Sequence, residues 1–290
     1  MKNRLPLWFR QPLPDKDVFG LLVLLKELNV NTVCQSSHCP NLSSCFKNKK
    51  LTLMLLGNIC TRNCRFCAVD KEKSIPLSLD IDEPERIKEA IERLDLDFVV
   101  LTSVARDDLE DGGSSQFRNA IDAIRRISRT IKIEVLIPDF RGCLNALKEV
   151  VLGKPDIIGH NLETVPRLYS EVRPQADYNC SLNILKNIKE LDKEIITKSA
   201  LLLGLGEEEG EVIQTIKDLV LVKTDILTLG QYLAPSPEHY RVREFIRIEK
   251  FNHYKEMALS LGIKAALSGP LVRSSFQAEE LYEEVSGCMI

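Results

Sequence analysis

Three cysteines at C-x3-C-x2-C spacing are the first candidates for chemistry in this 290-residue chain: Cys60, Cys64 and Cys67. Thiolates at these gaps can hold three irons of a 4Fe–4S cube and leave the fourth iron without a protein ligand. Such an open iron can chelate the amino and carboxylate groups of a methionine derivative beside a reductant. A zinc site completed by a His elsewhere is the alternative, although the loop itself contains no His.

A second triplet precedes the first at C-x4-C-x5-C spacing and consists of Cys34, Cys39 and Cys45. These gaps suit neither a zinc finger nor a two-cluster ferredoxin, but three thiolates can hold a second cluster. His38 lies beside them and keeps a zinc site open as an alternative. The two triplets together are far more specific than either one alone.

Cysteine usage and charge restrict the setting in which these triplets work. Six of the nine cysteines lie between Cys34 and Cys67, and no motif surrounds Cys143, Cys180 and Cys288, which we expect to be ordinary thiols. We find no signal peptide, so a reducing cytoplasm is expected, where clustered cysteines indicate metal rather than disulfides. The net charge of −3 gives no global attraction to nucleic acid or to an anionic membrane.

Apolar runs alternate with helical segments after the cysteine-rich opening. Each run is almost continuously hydrophobic, which is typical of parallel strands covered on both faces. The runs are Leu53–Leu56, Phe98–Thr102, Ile133–Ile137, Asp156–Gly159, Thr197–Leu203 and Asp225–Gly230. The intervening helices are expected at Glu85–Leu94, Phe117–Ser128 and Glu208–Val222, among others.

Six βα units predict an α/β fold with an open, partial (β/α)6 barrel of the TIM type. Ligands of such folds collect at the carboxyl ends of the strands. The segments expected to hold the chemistry are therefore Gly57–Cys67, Thr102–Gly113, His160–Glu163, Gly204–Glu207 and Gln231–Ser236. The Gly204 and Gly206 pair is a weak signal, because G-x-G is common after strands.

The first triplet, with Phe66 just before its last cysteine, resembles the signature of the radical S-adenosylmethionine (SAM) superfamily. The whole chain is similar to one family within it, the lipoyl synthases. The resemblance lies in C-Q-S-S-H-C-P-N-L-S-S-C followed by C-T-R-N-C-R-F-C, in T-S-V-A-R-D-D-L-E-D-G-G (Thr102–Gly113), G-H-N-L-E-T-V-P-R-L-Y (Gly159–Tyr169), V-R-P-Q-A-D-Y (Val172–Tyr178), G-Q-Y-L-A-P-S (Gly230–Ser236) and G-P-L-V-R-S-S-F (Gly269–Phe276).

This resemblance implies a radical SAM fold that inserts sulfur at carbons 6 and 8 of an octanoyl group bound to a lysine. Its cofactors would be SAM and two 4Fe–4S clusters, one on each triplet, with Ser275 as the fourth ligand of the auxiliary cluster. An alkoxide is a poor, hard ligand for such a cluster, which suits one that is consumed as the sulfur source. Without the resemblance, Ser274 and Ser275 would be a turn before a helix.

The same resemblance implies a division of the chain and a set of partners. An N-terminal extension (1–50) and a C-terminal extension (251–290) would carry the auxiliary site around a barrel (51–250). The expected partners are octanoylated lipoyl domains of 2-oxoacid dehydrogenase E2 subunits and of the glycine cleavage H protein. A ferredoxin or flavodoxin would supply electrons, and an iron–sulfur carrier would rebuild the cluster.

Polar residues after the strands are candidate SAM contacts: Ser103, Asn161, Glu163 and Arg173. Arg173 can meet a carboxylate as a fork, and the others can hydrogen-bond the ribose or amino acid part. Each can equally be a structural polar group. Asp107 and Asp108 can likewise be helix caps near Gly112 and Gly113.

Two further features concern substrate approach and departures from the family. Arg241, Arg243 and Arg247 can face an acidic lipoyl domain or form a solvated basic surface. Ala105 stands where the family commonly has a polar residue before R-D-D, which puts one active-site hydrogen bond in doubt.

Two alternative functions remain open. One is another sulfur-inserting radical SAM enzyme of the biotin synthase kind, and the other is a non-catalytic iron–sulfur carrier.

Overall fold

The computed structural model describes residues 6–71 and 78–287. Its α-helices are α1 (Lys16–Glu27), α2 (Val33–Ser36), α3 (Leu42–Lys47), α4 (Glu83–Leu94), α5 (Ser114–Ile127), α6 (Leu144–Leu152), α7 (Tyr169–Val172), α8 (Tyr178–Leu191), α9 (Glu209–Leu221), α10 (Ile248–Leu261) and α11 (Ala278–Ser286). Its strands are β1 (Asn31–Thr32), β2 (Thr52–Leu55), β3 (Ile59–Cys60), β4 (Asp70–Lys71), β5 (Phe98–Ser103), β6 (Lys132–Leu136), β7 (Ile157–Gly159), β8 (Ile196–Leu203), β9 (Ile226–Gln231) and β10 (Ala265–Gly269).

All six predicted apolar runs are strands of one sheet, in the order β1-β2-β5-β6-β7-β8-β9-β10. Every neighbouring pair from β2 to β10 is parallel, and β1 alone adds to β2 in antiparallel orientation. The partial α/β barrel predicted from the sequence is therefore confirmed. Because the strands are parallel, their carboxyl ends lie at one mouth of the barrel.

The predicted helices form where local sequence stabilises their first turns. α4 has Pro84 in its first turn, where the missing N–H costs no hydrogen bond. At the start of α9, the Glu211 carboxylate accepts the Glu208 N–H at 2.8 Å. Ile87, Ile91 and Leu94 of α4 are buried, so this helix covers the sheet with one apolar face.

Both flanking segments contribute to the barrel sheet. β1 precedes the six predicted strands, and β10 follows β9 within the segment expected to be a C-terminal extension. β10 pairs with β9 along its whole length, from Ala265 opposite Ile226 to Gly269 opposite Gly230. The division into residues 1–50, 51–250 and 251–290 stays a prediction, and parts of the outer two lie outside the described residues. None of the helices in the described residues is long and apolar enough to cross a membrane.

A buried ion pair crosses β7 inside this sheet. The Lys198 ammonium on β8 lies 2.9 and 2.8 Å from the two carboxylate oxygens of Glu134 on β6. Both side chains are at most 1% exposed. Charges so far from water are tolerated only as a pair, because either one alone would lose its hydration without compensation.

We predict that Lys198→Ala lowers the free energy of unfolding by about 3–5 kcal/mol, because it leaves the Glu134 carboxylate buried and unpaired. Urea unfolding of the protein without clusters measures this. The control is Lys186→Ala, which removes an exposed i,i+4 pair with Glu190 and should change stability by about 0.5 kcal/mol or less. Equal changes in the free energy of unfolding would show that the buried pair stabilises the protein no more than an exposed pair does.

Candidate active site

One cavity of about 490 Å³ lies at the barrel mouth and collects most of the predicted site. Its walls include the first triplet, Cys34 and Cys39 of the second triplet, Ser275, and all four candidate SAM contacts: Ser103, Asn161, Glu163 and Arg173. Cys45 lines a second, adjoining cavity of about 430 Å³, which shares Cys34, Cys39 and Ser275 with the first. Chain segments more than 200 residues apart therefore meet at one place.

An arginine inside the first cysteine motif fixes its loop to the strand ends. The Arg62 guanidinium donates to both oxygens of Asp107, at 2.7 and 2.8 Å, and to both oxygens of Asp139, at 2.7 and 2.6 Å. The Arg62 side chain is only 7% exposed. Paired guanidinium–carboxylate forks are strong and directional, so the loop between Cys60 and Cys64 has a defined position.

The turn that leads into this loop depends on a buried carboxylate. Leu56 and Gly57 both have positive φ, at 67° and 78°, after the end of β2. Glu83, at the start of α4, accepts their backbone N–H groups at 2.8 and 3.1 Å. A carboxylate that satisfies two buried N–H groups offsets the cost of the left-handed Leu56 conformation.

The loop that carries the R-S-S motif crosses the barrel mouth and is held by hydrogen bonds to three distant segments. The Asn41 side chain donates to the Leu271 carbonyl at 2.6 Å. Ser274 donates to the Asn161 side-chain oxygen at 2.9 Å. The Thr52 hydroxyl donates to the Ser275 hydroxyl oxygen at 2.7 Å.

Gly230 lets this loop approach the end of β9. A Cβ placed on Gly230 would lie 2.0 Å from the Val272 carbonyl oxygen, which is backbone and cannot swing aside. Only glycine permits this contact. The G-Q-Y-L-A-P-S and G-P-L-V-R-S-S-F segments, which carried part of the resemblance, are thus in direct contact.

The six cysteines of the two triplets are free and half-buried. Burial raises the pKa of Cys34 and of Cys67 to about 12, and neighbouring thiols act in the same direction. Cationic irons would reverse this preference, because metal binding favours the thiolate. Among the described residues, no group of three His, Cys, Asp or Glu side chains converges on a point that suits one metal ion. A cube spreads its ligands over several irons and needs no such convergence. Thiols are the donors that iron–sulfur clusters use, so the residues present fit them.

Several polar atoms on the cavity wall are buried without a hydrogen-bond partner among the described residues. They are Ser103 Oγ, His160 Nε2, Arg173 Nε and Thr228 Oγ1. Each such atom costs about 1–3 kcal/mol unless a ligand or water satisfies it. A polar ligand such as SAM would supply partners, so these atoms support binding in this cavity.

The candidate SAM contacts lie side by side around these atoms. The Asn161 side chain donates to the Glu163 carboxylate at 2.9 Å, and Arg173 Nη1 donates to the carbonyls of Asn161 and Leu162 at 3.0 Å each. Burial raises the pKa of Glu163, and the cationic Arg173 opposes that rise. Some of these side chains are already hydrogen-bonded within the protein, and others have a buried atom without a partner. A role in binding SAM therefore stays a prediction for all four: Ser103, Asn161, Glu163 and Arg173.

His160 begins a segment that the sequence predicted to hold chemistry, but it was not among the four candidate SAM contacts. Burial lowers its pKa to about 4, so the ring is neutral at neutral pH. Nδ1 lies 2.9 Å from the Ile137 carbonyl oxygen and must donate to it, which leaves Nε2 as a bare acceptor. In the sequence, the one indication that His160 belongs to the site is its position directly after the predicted strand that is β7.

Other sequence interpretations are corrected or left open. The cap interpretation of Asp107 and Asp108 is wrong: Asp107 pairs with Arg62 and Asp108 with Arg106, whereas Asp111 accepts the N–H groups at the start of α5. The reason is that two nearby guanidinium groups are stronger partners than helix N–H groups.

The Gly204–Glu207 segment is absent from the lining of the first cavity. There the Glu207 carboxylate accepts the N–H groups of Gly204, Leu205 and Gly206. These glycines therefore shape a structural turn. A Cβ on Gly204 would lie 2.3 Å from the Glu244 carbonyl oxygen.

The remaining positions have definite places but untested roles. Arg241, Arg243 and Arg247 are exposed, and the Arg243 guanidinium lies 5.6 Å from the centre of the Tyr240 ring. The Ala105 carbonyl accepts the Thr61 N–H at 3.0 Å, so this residue supports the cysteine loop through its backbone. Cys143 and Cys180 lie outside both cavities, and Cys288 lies outside the described residues.

Comparison with known proteins places the chain in a family. The profile of the radical SAM superfamily matches residues 54–219. A lipoyl synthase from Caldanaerobacter subterraneus subsp. tengcongensis is 51% identical over 279 residues, covering 96% of this chain and 97% of the relative. Another, from Caldicellulosiruptor saccharolyticus, is 49% identical over 97% of this chain and 98% of its own length. The chain belongs to the lipoyl synthase family of radical SAM enzymes.

Solved structures agree at the level of the fold. The hydrogenase maturase HydG from Carboxydothermus hydrogenoformans superposes with a TM-score of 0.56 at 18% identity, covering 80% of this chain and 65% of HydG. Methylornithine synthase PylB gives a TM-score of 0.56 at 13% identity, covering 90% of this chain and 81% of PylB.

As a lipoyl synthase family member, the chain is a sulfur-inserting transferase whose cofactors are SAM and two 4Fe–4S clusters.

We predict that Gly230→Ala displaces the R-S-S loop, because its Cβ would overlap the Val272 carbonyl oxygen. Amide hydrogen exchange of residues 271–276 in the protein without clusters should become faster, with a loss of about 1–3 kcal/mol in unfolding free energy. The control is Gly210→Ala, whose Cβ meets nothing within 4 Å in α9. Unchanged exchange in Gly230→Ala would contradict the close packing.

Proposed function

We propose that this chain inserts two sulfur atoms at carbons 6 and 8 of an octanoyl group bound to a lysine of lipoyl domains. The single observation that supports this most strongly is that the two cysteine triplets line adjoining cavities at the barrel mouth, which share Cys34, Cys39 and Ser275. A hydrogen-abstracting centre and a sulfur source must both reach the same alkyl chain, which requires such proximity.

Two ligand sets follow from the motifs and their places in the fold. Cys60, Cys64 and Cys67 would hold the SAM-binding cluster, and Cys34, Cys39, Cys45 and Ser275 would hold the auxiliary cluster. When bound, these groups supply the chemistry that side chains lack: reductive cleavage of SAM to a 5′-deoxyadenosyl radical, removal of hydrogen from unactivated carbon, and sulfide for the new C–S bonds. The chain's own work is to bind, orient and exclude water.

Apolar side chains make much of the cavity wall suitable for an octanoyl chain. Met54, Leu136, Ile137 and Leu201 lie on it together with Val272. Such a wall binds methylene groups and excludes water, which protects a reactive radical from side reactions. The polar side, formed by Asn161, Glu163, Arg173 and the unpaired His160 Nε2, would orient SAM.

The contact between Thr52 and Ser275 supports the proposed serine ligand. Both side chains lie in the wall that the two cavities share, beside Cys34 and Cys39. The Thr52 hydroxyl donates to Ser275 Oγ at 2.7 Å and so holds it in this shared wall. When Ser275 leaves an iron, its hydroxyl can regain the hydrogen bond from Thr52. Release of this ligand therefore costs little, as a cluster that is consumed requires.

Partners and location follow from the same proposal. Lipoyl domains of 2-oxoacid dehydrogenase E2 subunits and the glycine cleavage H protein would carry the substrate, and Arg241, Arg243 and Arg247 would meet their acidic surface. A ferredoxin or flavodoxin would deliver electrons, and an iron–sulfur carrier would restore the auxiliary cluster. All of these reactions would take place in the cytoplasm.

The second candidate is a biotin synthase-like enzyme, which would share the first triplet. It would not need the contact between the amino-terminal cysteines and the R-S-S loop. Here the segments beside those cysteines are hydrogen-bonded to the loop, through Asn41 to the Leu271 carbonyl and through Thr52 to Ser275. The identities of about 50% to lipoyl synthases over nearly the whole chain also favour the first proposal.

Anaerobically reconstituted protein mixed with SAM, a low-potential reductant and an octanoylated lipoyl-domain peptide tests the proposal. We expect mass spectrometry to detect 5′-deoxyadenosine and a peptide that has gained two sulfurs and lost two hydrogens. Cys64→Ala should abolish both products. Cys45→Ala should retain some SAM cleavage and stop sulfur insertion.

Cys143→Ala is the matched control, because this exposed cysteine lies outside both cavities and should leave both products unchanged. Lipoyl peptide from the Cys45→Ala protein would overturn the assigned sulfur source. Sulfur insertion into a free biotin precursor, with none into the peptide, would favour the second candidate.

A further inference from the structure

The loop with the R-S-S motif places a guanidinium group in the wall between the two cavities. Arg273 lines both cavities, and four other residues do the same: Cys34, Cys39, Thr52 and Ser275. Its Nη1 lies over the carboxyl end of β9, 3.4 Å from the position that a Cβ on Gly230 would take. Of the five residues in this shared wall, Arg273 alone has a charge that persists at any physiological pH.

This charge has no carboxylate within ion-pair distance among the described residues. The acceptor that Arg273 does reach is the adjacent Val272 carbonyl, at 2.7 Å from Nη1. Other arginines at the barrel mouth are neutralised: Arg62 by two carboxylates and Arg106 by Asp108. A charge that is partly removed from water normally has an opposite charge beside it. Arg273 therefore lacks the counter-charge that its position requires.

Two ionisable groups act on Arg273, and one of them is a proposed cluster ligand. Burial lowers the pKa of Arg273, and Cys39 and Glu163 oppose this fall. Glu163 is shared, because burial raises its pKa while Arg173 and Arg273 both oppose that rise. One carboxylate cannot neutralise two guanidinium groups. The remaining anion for Arg273 must therefore come from the side of Cys39.

The first triplet has its own guanidinium group in a corresponding place. Burial raises the pKa of Cys64, and Arg173 opposes this rise. Among the described residues that act on the pKa of Arg273, there is no cysteine of the first triplet. Each triplet thus has one arginine beside it that is not paired with a carboxylate, and Arg273 belongs to the second triplet.

A 4Fe–4S cluster on the proposed ligands would be an anion, because three thiolates and an alkoxide outweigh the charge of the core. The reduction potential of such a cluster depends on its net charge and on hydrogen bonds to its sulfurs. Arg273 can act on both, since it has a fixed charge and N–H groups that the Val272 carbonyl does not use.

We propose that Arg273 is the counter-cation of the auxiliary cluster and raises the reduction potential of that cluster. The proposal rests on the ligand set given under the proposed function, and it adds a residue that binds no iron. Ser275 and Arg273 would act from the same loop, the first as an iron ligand and the second as the balancing charge. The contacts that hold this loop across the barrel mouth would therefore position both groups.

The reduction potential of the auxiliary cluster tests the proposal without turnover. Only the auxiliary triplet can hold a cluster in a Cys60→Ala, Cys64→Ala and Cys67→Ala background. We expect Arg273→Gln to lower the equilibrium constant for reduction about tenfold, which is a fall of about 59 mV for one electron. The reason is that an anion without its neighbouring cation accepts an electron less readily. Redox titration followed by EPR spectroscopy measures this change.

Two further variants separate the effect of charge from other effects. Arg273→Lys keeps the charge without the planar fork, so its potential should lie closer to the original value than to that of Arg273→Gln. Arg93→Gln removes an exposed arginine of α4 that lies outside both cavities, and it should leave the potential unchanged.

The first cluster provides the comparison within the same protein. It alone can form in a Cys34→Ala, Cys39→Ala and Cys45→Ala background. There, Arg273→Gln should shift the potential by less than half of the shift seen for the auxiliary cluster. Equal shifts in the two backgrounds would contradict the assignment of Arg273 to the auxiliary cluster.

An auxiliary potential that Arg273→Gln leaves unchanged would overturn the proposal, and weaker SAM binding to the first-cluster background would then assign the guanidinium to the SAM carboxylate. An equally low potential in Arg273→Lys would show that charge is not the cause. A cluster that forms in Arg273→Lys but not in Arg273→Gln supports the proposal. Loss of the cluster from both variants would overturn it, because Arg273 would then be a structural part of the loop.

Failure of the proposed function would give a different result. If the background without the first triplet shows no 4Fe–4S spectrum while Arg273 is intact, the auxiliary ligand set is wrong. That result is obtained before any substitution of Arg273, so the two failures are distinguished.

Discussion

The site depends on the C-terminal loop being held across the barrel mouth by contacts with residues far away in sequence. Asn41 binds Leu271, Thr52 binds Ser275 and Asn161 binds Ser274, while the bare backbone of Gly230 admits Val272. Each hydrogen bond contributes only about 1 kcal/mol net, so no single one could order the loop. Together they bring the proposed serine ligand to the amino-terminal cysteines, and only the folded barrel can present all of these partners at once.

Charge is organised around the same mouth. Arg62 is neutralised by Asp107 and Asp139, and this network positions the first cysteine loop without leaving a net positive charge beside it. Burial alone would raise the pKa of Asp139, but the adjacent Arg62 guanidinium lowers it to about 2. Arg173 and Glu163 line the same cavity, where the proposed interaction with a bound zwitterion would be strengthened by a low local dielectric.

Much of this architecture could be predicted from the sequence. Continuous apolar runs identified six strands, since strands buried on both faces must be hydrophobic along their whole length. β10 escaped notice because Ala265–Gly269 is short and ends in Ser and Gly, so its burial comes from pairing with β9 rather than from its own hydrophobicity. β1 has two residues and no periodicity that a pattern could reveal.

The cysteines and Ser275 could be found by spacing and resemblance, but their supports could not. Arg62, Glu83 and Thr52 act through partners between 26 and 223 positions away, and local sequence contains no signal for such pairs. Asp107 and Asp108 show the converse error, because a local cap was expected where guanidinium groups compete more strongly. His160 was placed in a predicted site segment but was not singled out, because its neutral ring and its contact with the Ile137 carbonyl are properties of the folded state.

The most direct test of the account is the metal content of the anaerobically purified and reconstituted chain, measured together with its Mössbauer spectrum. Two 4Fe–4S clusters per chain are predicted, one of which disappears when Cys34, Cys39 and Cys45 are replaced by Ala. A chain that accommodates a single cluster, or that takes up zinc in preference to iron, would contradict it.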